Sequence, residues 1–200
     1  MGTPGSQPRT PDVSQNSKVK TVLVFGHFTP EKGQDIVIQA LPNLKQPIQL
    51  ILAGGVRRKK DLRYLTTCKN LIQNLKLEDK IKITGFVQES EIAQYFTKAD
   101  LVIAPFRETS GSASLTYAIA NGATLLVSDL ALNLELNERE PKMMATFKSE
   151  DPVDCAAQID VLLGNPSLLE SLRGHACHYA KMHGPKRVAE MHLAFYKQVM

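Results

Sequence analysis

Apolar strand-like runs alternate with amphipathic helix-like segments from residue 20 to about residue 129. The strand-like runs are continuously apolar and end at Gly, Pro or polar residues, at positions 21–26, 48–55, 81–87, 101–106 and 123–129. Continuous apolar runs are typical of strands that are covered on both faces. Because each run is followed by a helix-like segment, the pattern predicts an α/β fold with a doubly wound parallel sheet.

The helix-like segments have apolar residues at three- and four-residue spacing, at positions 33–44, 61–77, 89–99 and 111–122. The run KMMATF indicates one more strand near residue 145. From Asp151 onward the chain is helical in three segments, each with a proline in its first turn. We therefore predict one domain over residues 19–200, in which residues 151–200 are the closing helices.

Residues 1–18 contain three prolines and few apolar side chains, so we expect a flexible leader or a linker remnant rather than a signal peptide. The chain of 200 residues is 43% hydrophobic, which is enough for one sizeable core. It lacks an apolar run of membrane-spanning length, so we expect a cytoplasmic protein. The formal net charge of +4 suits an anionic ligand or a membrane surface and does not indicate nucleic acid.

Metal and disulfide chemistry have little support in the sequence. Cys68, Cys155 and Cys177 fall on predicted helices without C-x-x-C spacing, which indicates idle thiols. His27 has no second histidine or carboxylate at metal-ligand spacing, so we predict no metal and no cofactor. The basic run at residues 57–63 is interpreted as a solvated helix start, with a binding patch as the alternative.

The unusual stretches of the chain all follow predicted strands. They are GHFTPEKG after the first, AGGVRRKK after the second, TGFV at the third and FRETSGSAS after the fourth. In open α/β sheets, ligands bind outside the carboxyl ends of the strands, near the reversal of strand order. The sequence therefore predicts one binding site at this edge of the sheet.

Several residues of these stretches suit a sugar or phosphate ligand. Lys32 precedes a helix start, where it would neutralise a diphosphate or simply be solvated. Glu108 would accept hydrogen bonds from sugar hydroxyls, or serve as a helix-start carboxylate or a partner of Arg107. The dinucleotide and P-loop glycine motifs are absent from the sequence, as is the G-x-S-x-G motif of serine hydrolases.

The ordered set of motifs resembles the C-terminal, nucleotide-sugar-binding domain of the GT-B-fold glycosyltransferases of group 1, a retaining family. The matching stretches are VFGHFTPEKGQDIVIQAL, LILAGG, IKITGFV and ADLVIAPFRETSG, followed by closing helices with LRGHACHYA and FYKQVM. The likeness covers residues 20–200. It implies a Rossmann-like domain and the transfer of a sugar from a nucleotide-diphosphate donor to a glycan or lipid-linked acceptor.

The resemblance implies a role for each matching position. Lys32 and Glu108 would be catalytic, with Lys32 binding the donor diphosphate and Glu108 the transferred sugar. Gly85 to Val87 would present backbone groups to the base, and the amides of Ser110 to Ala113 would lie near sugar and phosphate. The implied donor-binding residues are His27, Lys32, Gly54, Gly85, Phe86, Val87, Glu108, Ser110, Gly111, Ser112, Ala113 and Thr116.

The chain departs from the family pattern in two places. His27 stands where the family usually has arginine, and Thr116 stands where it usually has a second glutamate that binds ribose. The resemblance also implies an acceptor-binding half, in the same or a partner chain, and a possible peripheral association of the full enzyme with a membrane. Two alternatives stay open: a non-catalytic binding or scaffold domain, and an α/β module of another nucleotide class, such as a response-regulator-like or NAD-binding domain.

Overall fold

In the computed structural model of the chain, which describes residues 19–108, 112–140 and 142–199, six strands form one parallel sheet. The strands are β1 (Lys20–Phe25), β2 (Ile48–Ala53), β3 (Ile81–Ile83), β4 (Leu101–Ala104), β5 (Leu125–Ser128) and β6 (Ala145–Phe147). Their order across the sheet is β3-β2-β1-β4-β5-β6. The chain therefore winds outward in both directions from β1 and β4, which confirms the predicted doubly wound sheet.

The described residues also form eight α-helices and three short 3₁₀ helices. The α-helices are α1 (Gln34–Ala40), α2 (Leu62–Asn74), α3 (Glu89–Lys98), α4 (Ala113–Ala120), α5 (Ala131–Arg139), α6 (Pro152–Leu163), α7 (Pro166–His183) and α8 (Pro185–Val199). The 3₁₀ helices are Pro30–Lys32, Leu41–Asn43 and Lys59–Asp61. The helical segment after residue 151 is confirmed, and the basic run at residues 57–63 lies at a helix start as predicted.

The two faces of the sheet are covered by different helices. On β1, Val22 and Val24 face one core with α1, α2 and α6, whereas Leu23 faces the other core with α3, α4 and α7. All three side chains are almost completely buried. Since neighbouring residues of a strand point to opposite faces, this arrangement explains why the strand sequences are apolar throughout.

Two elements differ from the sequence predictions. The predicted strand at residues 81–87 ends at Ile83, because Gly85 takes a left-handed φ of 74° and forms an isolated antiparallel bridge to Gly54. Helix α5 was not predicted, because its leucines recur at every second position, which is the period of a strand. The helix forms nonetheless, with Leu134 exposed and the buried Asn133 amide donating to the carbonyl of Ser128 at 2.8 Å.

Helix α8 contributes no buried side chain among its described residues. Its apolar side chains Met191, Leu193, Phe195 and Tyr196 are all more than half exposed. Among the helices of the described residues, none has the length and apolar character needed to cross a membrane. The apolar surface of α8 is therefore available to another protein segment or to another molecule.

The thiols are placed as the sequence indicated. Cys68 and Cys155 are buried and Cys177 is partly buried, and all three are free. Burial raises the pKa of Cys68 and the pKa of Cys155 to about 12. Because the thiolate is the reactive form, these two residues are inert packing groups at neutral pH.

Candidate functional site

The carboxyl ends of the three adjacent strands β1, β2 and β3 are joined by hydrogen bonds. The amide of Gly26 donates to the carbonyl of Ala53 at 3.0 Å, and the amide of Phe28 donates to the carbonyl of Gly55 at 3.0 Å. The amide of Gly54 donates to the hydroxyl of Thr84 at 3.2 Å. The loops singled out in the sequence thus meet at one edge, beside the reversal of strand order between β1 and β4.

These loops and the starts of α3 and α4 enclose an open cleft of about 360 Å³. Its lining is mainly apolar side chain and glycine backbone. The lining residues are Phe25, Gly26, His27, Ala53, Gly54, Gly55, Phe86, Val87, Glu89, Ile92, Ala113, Ser114 and Tyr117. The cleft is concave, largely apolar and edged with a few polar groups, as small-molecule sites commonly are.

Gly54 allows the floor of the cleft to form. A Cβ atom at this position would lie 2.0 Å from the carbonyl oxygen of Gly26, and the backbone has a φ of 153°. A larger residue would therefore force the ends of β1 and β2 apart. The absence of a side chain also leaves backbone groups within reach of a ligand.

Lys32 reaches the start of α4 from the loop between β1 and α1. Its Nζ atom donates to Oγ of Ser112 at 3.2 Å and lies 3.8 Å from the centroid of the Phe106 ring. Ser112 is the N-cap of α4, where its hydroxyl accepts from the amide of Leu115. Burial lowers the pKa of the Lys32 ammonium group. An ammonium group beside the positive end of a helix creates a local site that favours an anion.

Gly33 brings the two loops of the site into backbone contact. Its φ is 66°, and a Cβ atom here would lie 1.9 Å from the carbonyl oxygen of Pro105. Pro105 follows β4, so this contact joins the β1–α1 loop to the β4–α4 loop. The close approach fixes Lys32 next to the start of α4.

Glu108 is exposed at the end of the described part of the β4–α4 loop. The neighbouring Arg107 forms ion pairs with Asp35 at 2.8 Å and with Glu150 at 3.3 Å. The predicted alternative, a pairing of Glu108 with Arg107, is not found among the described residues. Glu108 follows β4 and Lys32 follows β1, so both residues lie at the carboxyl ends of these two adjacent strands.

Five of the twelve predicted donor-binding residues line the cleft, whereas Lys32, Glu108 and Ser112 do not, and Ser112 lines a different cavity, beside α5 and α7. The five that line the cleft are His27, Gly54, Phe86, Val87 and Ala113. The His27 ring is exposed, and its carbonyl accepts from the side-chain amide of Gln34 at 2.9 Å. Gly85 shapes the adjacent turn through its positive φ. Ser110 and Gly111 lie outside the described residues.

Thr116 is not among the residues that line the cleft. It lies on a different side of α4, where its hydroxyl donates to the carbonyl of Ser112 at 3.1 Å. That face borders a separate cavity of about 480 Å³ between α4, α5 and α7. Because successive helical residues are 100° apart, Ser114 and Tyr117 share the cleft side and Thr116 does not.

Eight residues that line the cleft are not among the predicted donor-binding residues, namely Phe25, Gly26, Ala53, Gly55, Glu89, Ile92, Ser114 and Tyr117. Glu89 and Ile92 begin the helix that follows the TGFV turn, so their place directly after a strand end was a usable signal. Ser114 and Tyr117 lie three residues apart on α4, which places them on one helical face. Among the described residues, no group of three or more His, Cys, Asp or Glu side chains is arranged to hold a metal ion.

The ion pair of Asp35 predicts a pH dependence of stability. Burial alone would raise the pKa of Asp35, but hydrogen bonds from Arg107 and Tyr64 outweigh it and lower the pKa below the ordinary value. Because the pKa of Asp35 is lower in the folded than in the unfolded chain, its carboxylate stabilises the fold at pH values above the unfolded-state pKa. This contribution is lost as the pH falls through the folded-state pKa. Asp35→Asn should thus cost about 2 kcal/mol of unfolding free energy at pH 7.

The difference between wild type and Asp35→Asn should shrink steadily below about pH 4, in urea unfolding measured from pH 7 to pH 3. Asp79→Asn is a suitable control, because Asp79 is exposed and has no ion pair among the described residues. A constant difference across this pH range would contradict the assignment of the effect to the Asp35 carboxylate.

Comparison with known proteins places most of the chain in one family. A family model described as "Glycosyl transferases group 1" matches residues 7–178. The alpha-monoglucosyldiacylglycerol synthase of Streptococcus pneumoniae is 30% identical over 112 residues, which are 54% of this chain and 24% of that protein. Spore coat protein SA of Bacillus subtilis is 26% identical over 184 residues, which are 90% of this chain and 49% of that protein.

The fold is likewise similar to solved structures. Anabaena Alr3699/HepE, crystallised in complex with UDP and glucose, superposes with a TM-score of 0.79 at 20% identity. The match covers 91% of this chain and 49% of that chain. The chain therefore spans about half the length, or less, of these relatives.

Proposed function

The chain belongs to the group 1 glycosyltransferases, and from that membership we propose that it is the donor-binding half of a retaining enzyme. In this proposal the full enzyme transfers a sugar from a nucleotide-diphosphate sugar to a glycan or lipid-linked acceptor. The observation that carries the proposal is the position of Lys32, which donates to the N-cap Ser112 of α4, directly before Ala113 and Ser114, which line the cleft. The test is titration of the chain with nucleotide sugars.

The diphosphate is assigned to the start of α4. There the Lys32 ammonium group, the N-cap Ser112 and the positive end of the α4 dipole converge. Burial disfavours the charged form of Lys32, and a bound diphosphate would relieve that cost by pairing with it. The diphosphate is also the leaving group of the transfer reaction. The same contacts would therefore strengthen as negative charge develops on it.

The base is assigned to the other end of the cleft, at the turn from Gly85 to Val87. The Phe86 side chain is 75% exposed while lining the cleft. An aromatic ring at the rim of an apolar cleft offers a face on which a nucleobase can stack. The apolar floor formed by Phe25 and Ala53 would cover the ribose and base from below.

Phe86→Ala is expected to weaken donor binding about tenfold, because one base-stacking contact contributes roughly 1–3 kcal/mol. The fold should keep its stability, since the side chain is mostly exposed in the free protein. The measurement is isothermal titration together with thermal unfolding. Phe195→Ala on α8 is the matched control, because that ring is also largely exposed and lies on α8, outside the cleft. Equal donor affinities for the two variants would contradict the assignment of the base.

The sugar is assigned to Glu108, by its resemblance to the family motif and by its position on the β4–α4 loop. An exposed carboxylate there would accept hydrogen bonds from sugar hydroxyls and would stabilise positive charge at the anomeric carbon. Lys32 would stabilise the departing diphosphate on the other side of the breaking bond. Transfer with retention at the anomeric carbon belongs to this proposal, as do the roles of the Ser110 and Gly111 amides.

The acceptor is assigned to a second domain, in the same chain or in a partner chain. Two observations support this assignment. The chain spans about half the length of Spore coat protein SA and of Anabaena Alr3699/HepE, and α8 leaves Met191, Phe195 and Tyr196 exposed. Donor binding is then expected of this chain alone, whereas efficient transfer is expected only with the acceptor-binding half present.

A cytoplasmic location and a peripheral contact of the full enzyme with a membrane complete the proposal. The basic run supports the contact, since residues 57–63 hold five Lys and Arg side chains and one Asp. Of the five cations in this run, only Arg58 has an ion pair among the described residues, and its partner is Asp61 of the same run, at 3.0 Å. Anionic lipid surfaces attract such clusters of exposed cations.

A further inference from the structure

The Arg107 side chain makes four hydrogen bonds to partners among the described residues. Nη1 and Nη2 donate to the two carboxylate oxygens of Asp35 at 2.9 and 2.8 Å. Nη1 also donates to the carbonyl of Pro30 at 2.8 Å, and Nε donates to the carboxylate of Glu150 at 3.3 Å. A guanidinium group has five N–H donors, so little capacity remains for a ligand. The Arg107 side chain therefore uses most of its donors to bind Asp35, Pro30 and Glu150.

The partners of Arg107 flank Lys32 in the sequence. Pro30 and Asp35 lie on either side of it, and the backbone amide of Arg107 donates to the carbonyl of Glu31 at 2.9 Å. Glu108 directly follows Arg107. Arg107 therefore ties the segment that carries Lys32 to the segment that carries Glu108.

The geometry of this contact sets orientation as well as distance. The side chains of Arg107 and Asp35 are 26% and 17% exposed, so solvent screens the pair only in part. The Tyr64 hydroxyl of α2 also donates to the Asp35 carboxylate, which holds that group in place. Two parallel hydrogen bonds from a planar guanidinium fix the relative angle of the two segments that they join. The ammonium group of a lysine does not fix this angle, because it acts as a point charge.

We propose that Arg107 is a positioning residue for donor binding: it holds Lys32 and Glu108 at the separation that a sugar diphosphate requires. The proposal rests on the proposed function, because it takes Lys32 as the diphosphate contact and Glu108 as the sugar contact. Nothing in it requires Arg107 to touch the donor.

The test compares Arg107→Met, Arg107→Lys, Lys32→Met and the double variant Arg107→Met/Lys32→Met of the whole chain. Lys20→Met is the matched control. It breaks another ion pair between distant segments, Lys20 with Asp100 at 3.1 Å, at the opposite edge of the sheet. Each variant is titrated with UDP-, GDP- and ADP-glucose up to millimolar concentrations. Hydrogen–deuterium exchange is measured for peptides that cover residues 26–33 and 104–108.

Arg107→Met should weaken binding of the preferred donor about tenfold, and Arg107→Lys about threefold, since the lysine restores charge without the bidentate geometry. In the Lys32→Met background, Arg107→Met should weaken the affinity by only about threefold, because the Lys32 contact is already lost and only the Glu108 contact remains for Arg107 to position. Exchange should accelerate in both peptides. Lys20→Met should change neither the affinity nor the exchange of these peptides.

Three results would overturn the proposal while the proposed function survives. The first is that Arg107→Met binds the donor with wild-type affinity. The second is that Arg107→Met weakens donor binding tenfold both in the wild-type chain and in the Lys32→Met background. The third is that hydrogen–deuterium exchange of the two peptides is unchanged in Arg107→Met. If the wild-type chain binds none of the donors, the proposed function fails and the positioning role fails with it, whatever the exchange shows.

Discussion

Lys32→Met is expected to weaken binding of the nucleotide sugar by about 30- to 100-fold. The substitution removes the ammonium group at the start of α4, and charge-assisted hydrogen bonds to a diphosphate contribute roughly 2–3 kcal/mol. The free energy of unfolding should stay the same or rise slightly. Burial lowers the pKa of Lys32, because the charged ammonium group loses hydration in the folded chain, which costs free energy of folding. Methionine keeps the apolar contact with Phe106 without that cost.

The control for Lys32→Met is Lys69→Met, which removes the same charge from the exposed surface of α2. It should leave donor affinity within about twofold of wild type, since surface charges are screened by salt. Isothermal titration gives the affinities, and urea unfolding gives the stabilities. If Lys32→Met bound the donor with wild-type affinity, the assignment of Lys32 as the diphosphate contact would be contradicted. A large loss of stability would instead identify Lys32 as a structural residue.

Gly33→Ala is expected to lower the free energy of unfolding by about 3–4 kcal/mol. Two costs add: alanine is strained at a φ of 66°, and its Cβ atom would lie 1.9 Å from the carbonyl oxygen of Pro105. The carbonyl belongs to the backbone after β4, so the clash cannot be relieved by a side-chain rotation. The two loops of the site must then separate, and donor binding should weaken along with stability.

Gly174→Ala provides the comparison within the same chain. Gly174 lies inside α7, and a Cβ atom there would meet no atom within 4 Å. Alanine should therefore stabilise the helix by roughly 0.5–1 kcal/mol. Denaturant unfolding of both variants measures the contrast. Similar stabilities for the two alanine variants would show that the β1–α1 and β4–α4 loops are not in tight contact.

The fold was predictable because its strands are apolar on both faces. Residues such as Val22, Leu23 and Val24 leave no solvent-facing position on β1, and only helices on both sides of the sheet explain that pattern. The place of Lys32 on a loop after β1 followed from the same reasoning. Its hydrogen bond to Ser112, 80 residues later in the chain, follows from the adjacency of β1 and β4.

The remaining features depend on tertiary contacts that a sequence pattern does not encode. Helix α5 forms although its leucines have the period of a strand, since the buried Asn133 binds the end of β5. The bidentate pair of Arg107 and Asp35 joins residues 72 positions apart. The direction in which the Thr116 side chain points depends on the rotation of α4 about its axis relative to the sheet. The apolar pattern of this short helix does not determine that rotation.

The most direct test of donor binding is isothermal titration of the whole chain against glucose and mannose donors that carry UDP, GDP or ADP. We expect saturable binding at one site per chain, with one base preferred over the other two by about tenfold or more. Lys32→Met should abolish most of that affinity, and the matching nucleoside diphosphate should bind at the same site. No saturable binding to any donor at millimolar concentration would contradict the account and favour a scaffold domain that has kept only the fold.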